Sequence, residues 1–112
     1  MIKITTHVLD VSRGCPASGM EIFLYRMEAD GWEEMAWGRT NADGRLGDWA
    51  AAGGVPGNGI YKIKFETKVY FKRQGVASFY PFVEVHFEIA ADSHYHIPLL
   101  LSPWGYSTYR GS

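Results

Sequence analysis

Four histidines, a cysteine and an arginine that follows a turn are the side chains in this sequence best suited to chemistry near neutral pH. His94 and His96 stand two apart in an alternating run, so both project from one face of a strand. As a pair they suggest metal ligands. Zinc, however, takes three or four protein groups at recognisable spacing, and no third ligand stands near them in sequence, so no metal is expected. Cys15, beside Pro16 in a turn-like stretch, is reactive only in an electropositive setting that the sequence does not display. His86 lies between Glu84 and Glu88, the pattern of a solvated strand face. His7, between Thr5 and Leu9, reads by default as a half-exposed strand histidine. Arg45 follows Asp43-Gly44, and its default reading is a solvated surface arginine. The functional alternative is a fixed planar cation for an anionic substrate or a developing oxyanion. There is no Gly-x-Ser-x-Gly, no glycine-rich phosphate loop and no Ser–His–Asp set. Glu33-Glu34 and Lys72-Arg73 read as solvated faces.

The elements that must position these groups are short strands. The chain has 112 residues with 13 glycines and 5 prolines, which punctuate it at intervals that favour strands over long helices. That length suits one domain with a modest core, and 46% hydrophobic against 21% charged residues excludes a disordered chain. Eleven basic against twelve acidic residues argue against nucleic acid or an anionic membrane as the main partner. No run approaches the ~18 apolar residues of a membrane span. One cysteine rules out an internal disulfide. The start turns polar at once and lacks the apolar stretch of a secretory signal, which makes cytoplasmic the default localisation, a removed targeting segment aside.

Alternation is clearest in Ile60 to Phe65 and in Val83 to Ile89, each with one apolar face. Ile2 to Leu9 sets Ile2, Ile4, Thr6 and Val8 against Lys3, Thr5, His7 and Leu9. Asp30-Gly31 predicts a hairpin between Met20–Ala29 and Trp32–Thr40, and Gly53 to Gly59 reads as a long loop. Thr67 to Gln74, with Gly75 at a C-cap position, fits a short helix or a strand extension. Pro98 cannot donate a ladder hydrogen bond, so its strand should have an open edge or bulge there. Seven or eight such strands suggest an antiparallel sandwich. Between Met20 and Ala29 both faces are apolar, Ile22 and Leu24 on one and Phe23, Tyr25 and Met27 on the other, which points to a second burial event such as subunit contact.

The run His94-Tyr95-His96-Ile97-Pro98-Leu99-Leu100-Leu101-Ser102-Pro103, followed by Gly105-Tyr106-Ser107-Thr108-Tyr109-Arg110-Gly111-Ser112, closely resembles the signature ending of 5-hydroxyisourate hydrolases, the enzymatic branch of the transthyretin family. Thr6-His7-Val8-Leu9-Asp10, Gly14-Cys15-Pro16-Ala17, Thr40-Asn41-Ala42-Asp43-Gly44-Arg45 and Phe79-Tyr80-Pro81 extend the resemblance over the whole chain. It implies an all-β fold, a transthyretin-like antiparallel sandwich of two four-stranded sheets with one short helix, as one domain over residues 1–112. It also implies a homotetramer with active sites between dimers. The reaction implied is hydrolysis of 5-hydroxyisourate to 2-oxo-4-hydroxy-4-carboxy-5-ureidoimidazoline, without a cofactor. His7, Arg45 and His96 fall on the family's three central positions, Tyr109 on the tyrosine that closes the pocket, and Ser112 on the family's last residue. In that assignment the histidines share proton handling while Arg45 holds substrate and oxyanion.

The rival reading is a non-catalytic carrier, since the transthyretin branch holds small hydrophobic ligands in the same kind of channel. That branch has other residue types at the positions of His7, Arg45, His96 and Tyr109 and lacks the Tyr-Arg-Gly-Ser ending, so each of these positions falls on the enzyme side. A structural or adhesive sandwich leaves them unexplained.

Overall fold

The computed structural model describes residues 2–47, 49, 57–91 and 94–112. In chain order the strands are β1 (Lys3–Asp10), β2 (Cys15–Pro16), β3 (Glu21–Glu28), β4 (Gly31–Arg39), β5 (Arg45–Leu46) and β6 (Gly59–Phe65). The helix α1 (Thr67–Lys72) comes next, then β7 (Val83–Ile89), β8 (His94–Ser102) and β9 (Gly105–Thr108). One sheet runs β2-β1-β8-β9 with β5 also paired to β1, and the second runs β4-β3-β6-β7. This is the expected two-sheet sandwich with one short helix. The first sheet gains a fifth strand because two short segments share one edge of β1: β5 pairs Thr6 and His7, while β2 pairs Leu9 and Asp10. The Gly53–Gly59 loop falls partly at 53–56, outside the described residues.

The core lies between the sheets and follows the strand period of two. On β1, Ile4, Thr6, Val8 and Asp10 are buried while Lys3, Thr5, His7 and Leu9 turn outward. Tyr61, Ile63 and Phe65 from β6, Ile22 and Leu24 from β3, and Leu99 and Leu101 from β8 fill the interior. Burying each such side chain fully is worth about 1.5–3 kcal/mol. The buried Thr6, Asp10 and Thr40 side chains are bonded to other side chains or to the backbone. The Thr6 hydroxyl donates to the Ile97 carbonyl at 2.6 Å. Asp10 accepts from the Tyr70 hydroxyl at 2.8 Å and from Ser12 at 2.5 Å, tying the end of β1 to α1.

Three local outcomes refine the sequence reading. Thr67–Lys72 is a helix, closed where Gly75 takes a φ of 69° and the Val76 N–H reaches the Phe71 carbonyl at 3.0 Å. In the β3–β4 hairpin Glu28 pairs with Gly31, so Ala29 and Asp30 form the turn and the pairing begins one residue earlier than Asp30-Gly31 suggests. A bulge at Met35 then shifts the alternation of β4, and Trp32 and Trp37, five apart in sequence, both oppose outward residues of β3. Pro98 behaves as its chemistry requires: the β8–β9 ladder begins at Leu99, and the Thr108 hydroxyl donates to the Pro98 carbonyl at 2.7 Å. No helix among the described residues is long and apolar enough to cross a membrane.

Candidate active site

The central pairing of the molecule is the parallel ladder between β1 and β8, which sets Lys3 opposite His94, Thr5 opposite His96 and His7 opposite Pro98. Because side chains alternate, Lys3, Thr5, His7, His94 and His96 share the outer face of this sheet. Arg45 joins them from the other side of β1, where β5 sets it opposite His7.

The turn before β5 fixes that arrangement. Asn41 Oδ1 accepts the backbone N–H groups of Asp43 and Arg45 at 2.9 and 3.0 Å, an Asx-type turn. Gly44 adopts a φ of 74°, and its carbonyl accepts the Val8 N–H at 2.8 Å. A side chain at Gly44 would collide with the Val8 carbonyl, so only glycine lets the turn dock this closely on β1. The same turn orients His7, whose Nε2 lies 2.9 Å from the Asp43 carbonyl. A carbonyl only accepts, so Nε2 carries the proton and the basic lone pair of neutral His7 is on Nδ1.

His96 is held differently. Its Nδ1 lies 2.7 Å from the Thr5 hydroxyl, and its carbonyl accepts the Gly111 N–H at 2.8 Å. The C-terminal segment therefore folds back over the imidazole, and a Cβ at Gly111 would overlap the ring. Burial depresses the His96 pKa below the ordinary histidine value, and Arg45, His7 and His94 add to the effect by disfavouring a further positive charge. His96 is thus a neutral base at neutral pH.

An open depression of about 350 Å³ is bordered by Lys3, Thr5, Arg45, His94, His96 and Ser112. Among the described residues no carboxylate pairs with the Arg45 guanidinium, which leaves its charge for an anion. His96 also borders a second cavity of about 320 Å³, together with Tyr109 and Arg110. Of the five residues expected at the site, His7, Arg45, His96 and Ser112 come together on or beside the outer face of the β1–β8 ladder. Tyr109, 57% exposed, is on the other side of His96. Thr5, Asn41 and Gly111 are the supporting residues that motif reading passed over. The signal for Thr5 was present, since it stands two residues before His7 on the same strand face. Among the described residues no three His, Cys, Asp or Glu side chains gather as a metal-ligand set.

Residues 4–111 match the model of the HIUase/transthyretin family. The 5-hydroxyisourate hydrolase of Mus musculus is 46% identical over 112 residues, covering 97% of this chain and 94% of that protein. Among solved structures, the 5-hydroxyisourate hydrolase of Klebsiella pneumoniae matches at a TM-score of 0.85 and 39% identity, over 98% of this chain and 99% of that one. Sea bream transthyretin in complex with thyroxine matches at 0.88 and 31% identity, over 97% and 94%. The backbone is thus as close to the transthyretin as to the hydrolase, and the two are told apart by side chains.

Proposed function

The chain belongs to the HIUase/transthyretin family, and from that premise we propose that it opens the ring of 5-hydroxyisourate by adding water, giving 2-oxo-4-hydroxy-4-carboxy-5-ureidoimidazoline in urate catabolism. The observation that carries the reading is the convergence, on the outer face of the sheet built on the β1–β8 ladder, of two histidines and an arginine that pairs with no carboxylate among the described residues. The substrate is planar, rich in carbonyls and able to carry negative charge, which suits a guanidinium fork. Arg45 holds it and stabilises the oxyanion that forms when water adds to the ring carbonyl. His96, neutral and with Nε2 free of any hydrogen-bond partner among the described residues, takes the proton from that water. His7 shares the proton handling, with Nδ1 as its basic atom. Ser112 borders the same depression and contributes to substrate binding, while Tyr109 borders the neighbouring cavity that shares His96 and contributes from that side. No cofactor enters this scheme, which acts through one domain over residues 1–112.

A homotetramer with sites at the dimer–dimer interface is part of the proposal. Support comes from large exposed apolar groups, Trp104 at 68% and Tyr109 at 57% exposure, which association would cover. Light scattering returning a monomer at working concentration would remove that part. Likeness to the transthyretin–thyroxine complex favours a second reading, a non-catalytic small-ligand carrier.

One experiment separates the two. Freshly generated 5-hydroxyisourate, made from urate with urate oxidase, is followed by its ultraviolet decay with and without the protein, and with His7→Ala alongside. Acceleration that vanishes in the variant supports the hydrolase, whereas decay at the spontaneous rate with folded protein supports the carrier.

A further inference from the structure

The Thr5 hydroxyl touches two imidazoles at once, Nδ1 of His96 at 2.7 Å and Nε2 of His94 at 3.2 Å. The two rings stand 6.5 Å apart, centre to centre, with Thr5 between them. From this geometry we infer that His94, Thr5 and His96 form a proton relay in which Thr5 is the positioning residue that sets the His96 tautomer and His94 is the outlet to solvent. The inference rests on the hydrolase reading given above.

The chemistry follows from the donor count. A hydroxyl has one proton to give and two lone pairs. At most one of the two rings can receive the Thr5 proton, and the other must then carry a proton on the nitrogen that faces Thr5. The tautomers of His94 and His96 are therefore coupled. His7 offers the contrast, because its partner is a carbonyl, which fixes one tautomer and passes no proton on.

A relay answers a specific difficulty. His96 is a good place to receive a proton and a poor place to keep one. Burial and the neighbouring charge of Arg45 from β5, of His7 from β1 and of His94 from its own strand all oppose an imidazolium, and Lys3 of β1 borders the same depression. His94 is exposed. In the resting arrangement Nδ1–H of His96 donates to Thr5, and the Thr5 hydroxyl donates to Nε2 of His94. When the water oxygen bonds to the substrate carbonyl carbon, its proton passes to Nε2 of His96. The Nδ1 proton moves to Thr5, and the Thr5 proton moves to His94, which becomes the cation while Arg45 faces the oxyanion. His96 is then neutral with its proton on Nε2, the form that acts as an acid. When the ring C–N bond breaks, Nε2–H goes to the leaving nitrogen and the relay runs backwards, returning all three groups to their starting state. One water is consumed, a C–O bond replaces a C–N bond, and no net proton is left on the protein.

The test uses the full chain with Thr5→Val, which keeps the shape and removes the hydroxyl, Thr5→Ser, which keeps the hydroxyl, and His94→Gln. Thr5→Val should lower kcat roughly ten-fold or more with KM unchanged, a smaller loss than the about 10²-fold expected for removing His96 itself. Thr5→Ser should restore kcat and the wild-type pH profile. His94→Gln should lower kcat and leave substrate affinity intact. Nitrogen-15 spectra of the imidazoles supply a readout independent of turnover: wild type should show Nδ1 of His96 protonated and Nε2 of His94 unprotonated, and Thr5→Val should mix the tautomers of both rings together. Wild-type kcat and pH profile in Thr5→Val would overturn the relay, as would an equal defect in Thr5→Ser, which marks a packing role. Failure of the wild-type protein to accelerate substrate decay overturns the hydrolase reading instead, and the tautomer coupling is then judged by the spectra alone.

Discussion

The outer faces of the two sheets treat positive charge in opposite ways. On the β4-β3-β6-β7 sheet each lysine is neutralised where it stands. Lys62 meets Glu84 at 3.0 Å while its ammonium sits 4.4 Å above the Trp32 ring and 5.4 Å from that of Tyr25. Lys64 meets Glu66 at 3.4 Å and lies 4.5 Å above Phe82. The remaining ion pairs among the described residues, Arg26–Glu28, Arg39–Glu21 and Arg73–Glu21, also belong to this sheet or the helix beside it. On the β1–β8 face, Lys3, His7, Arg45, His94 and His96 gather without a paired carboxylate among the described residues. The first face uses charge to cover aromatic surface, in the way long cationic side chains lie along apolar area. The second leaves charge uncompensated, which costs stability and produces a field that attracts an anion. The doubly apolar strand takes its meaning from the first face: Tyr25 is roofed by Lys62, while Met27 and Trp37, 44% and 43% exposed, remain open.

The difference can be broken from either side. The largest effect is expected from Arg45→Ala, which should lower kcat/KM by about 10²–10³-fold while leaving the unfolding midpoint nearly unchanged, because the guanidinium pairs with no carboxylate among the described residues. A matching loss of stability in chemical denaturation would show that the two faces are alike. His96→Ala should follow, with a fall of about 10²-fold in kcat. Lys62→Ala should do the reverse and cost about 1 kcal/mol of stability through the lost aromatic and Glu84 contacts, with turnover unaltered. The smallest effect is in pH dependence. Since His96 acts in its neutral form and burial, then Arg45, hold its pKa down, the acid limb of kcat should lie below the ordinary histidine value of about 6.5. In the residual activity of Arg45→Ala that limb should move upward, and a stationary limb would assign it to another group.

The parts of this contrast that could be read from sequence are those governed by local periodicity. The strict alternation of β1 and β6 placed His7 outward and Tyr61, Ile63 and Phe65 inward without reference to any partner strand. The Asp43-Gly44 turn announced itself, and so did the delivery of Arg45 just after it. The Tyr-Arg-Gly-Ser ending carried the family resemblance. What local pattern does not encode is register across a long separation. That Thr5 faces His96 follows from a parallel pairing of segments 91 residues apart, and only this pairing turns an unremarked threonine into a partner of two histidines. The bulge at Met35, which puts Trp32 and Trp37 on one face, is likewise a property of the hairpin pair rather than of β4 alone. The two-residue β2 was too short to announce itself and exists because the end of β1 has an edge to offer.

The parallel β1–β8 ladder also dictates when the site can exist. The hairpin of β3 and β4 closes on neighbours in sequence and is available early in synthesis. His7 leaves the ribosome some ninety residues before its companions on β8, and until they emerge β1 has no ladder on that side. Contacts that close so long a loop come late and slowly, because the entropy of closure is lost before the pairing rewards it. During translation the molecule is therefore a sandwich with an open seam along β1, the segment most exposed to premature association with other nascent chains. The strand that seals this seam, β8, is also the one that carries His94 and His96 to the side of His7, so closing the sheet and assembling this face of the site are one event.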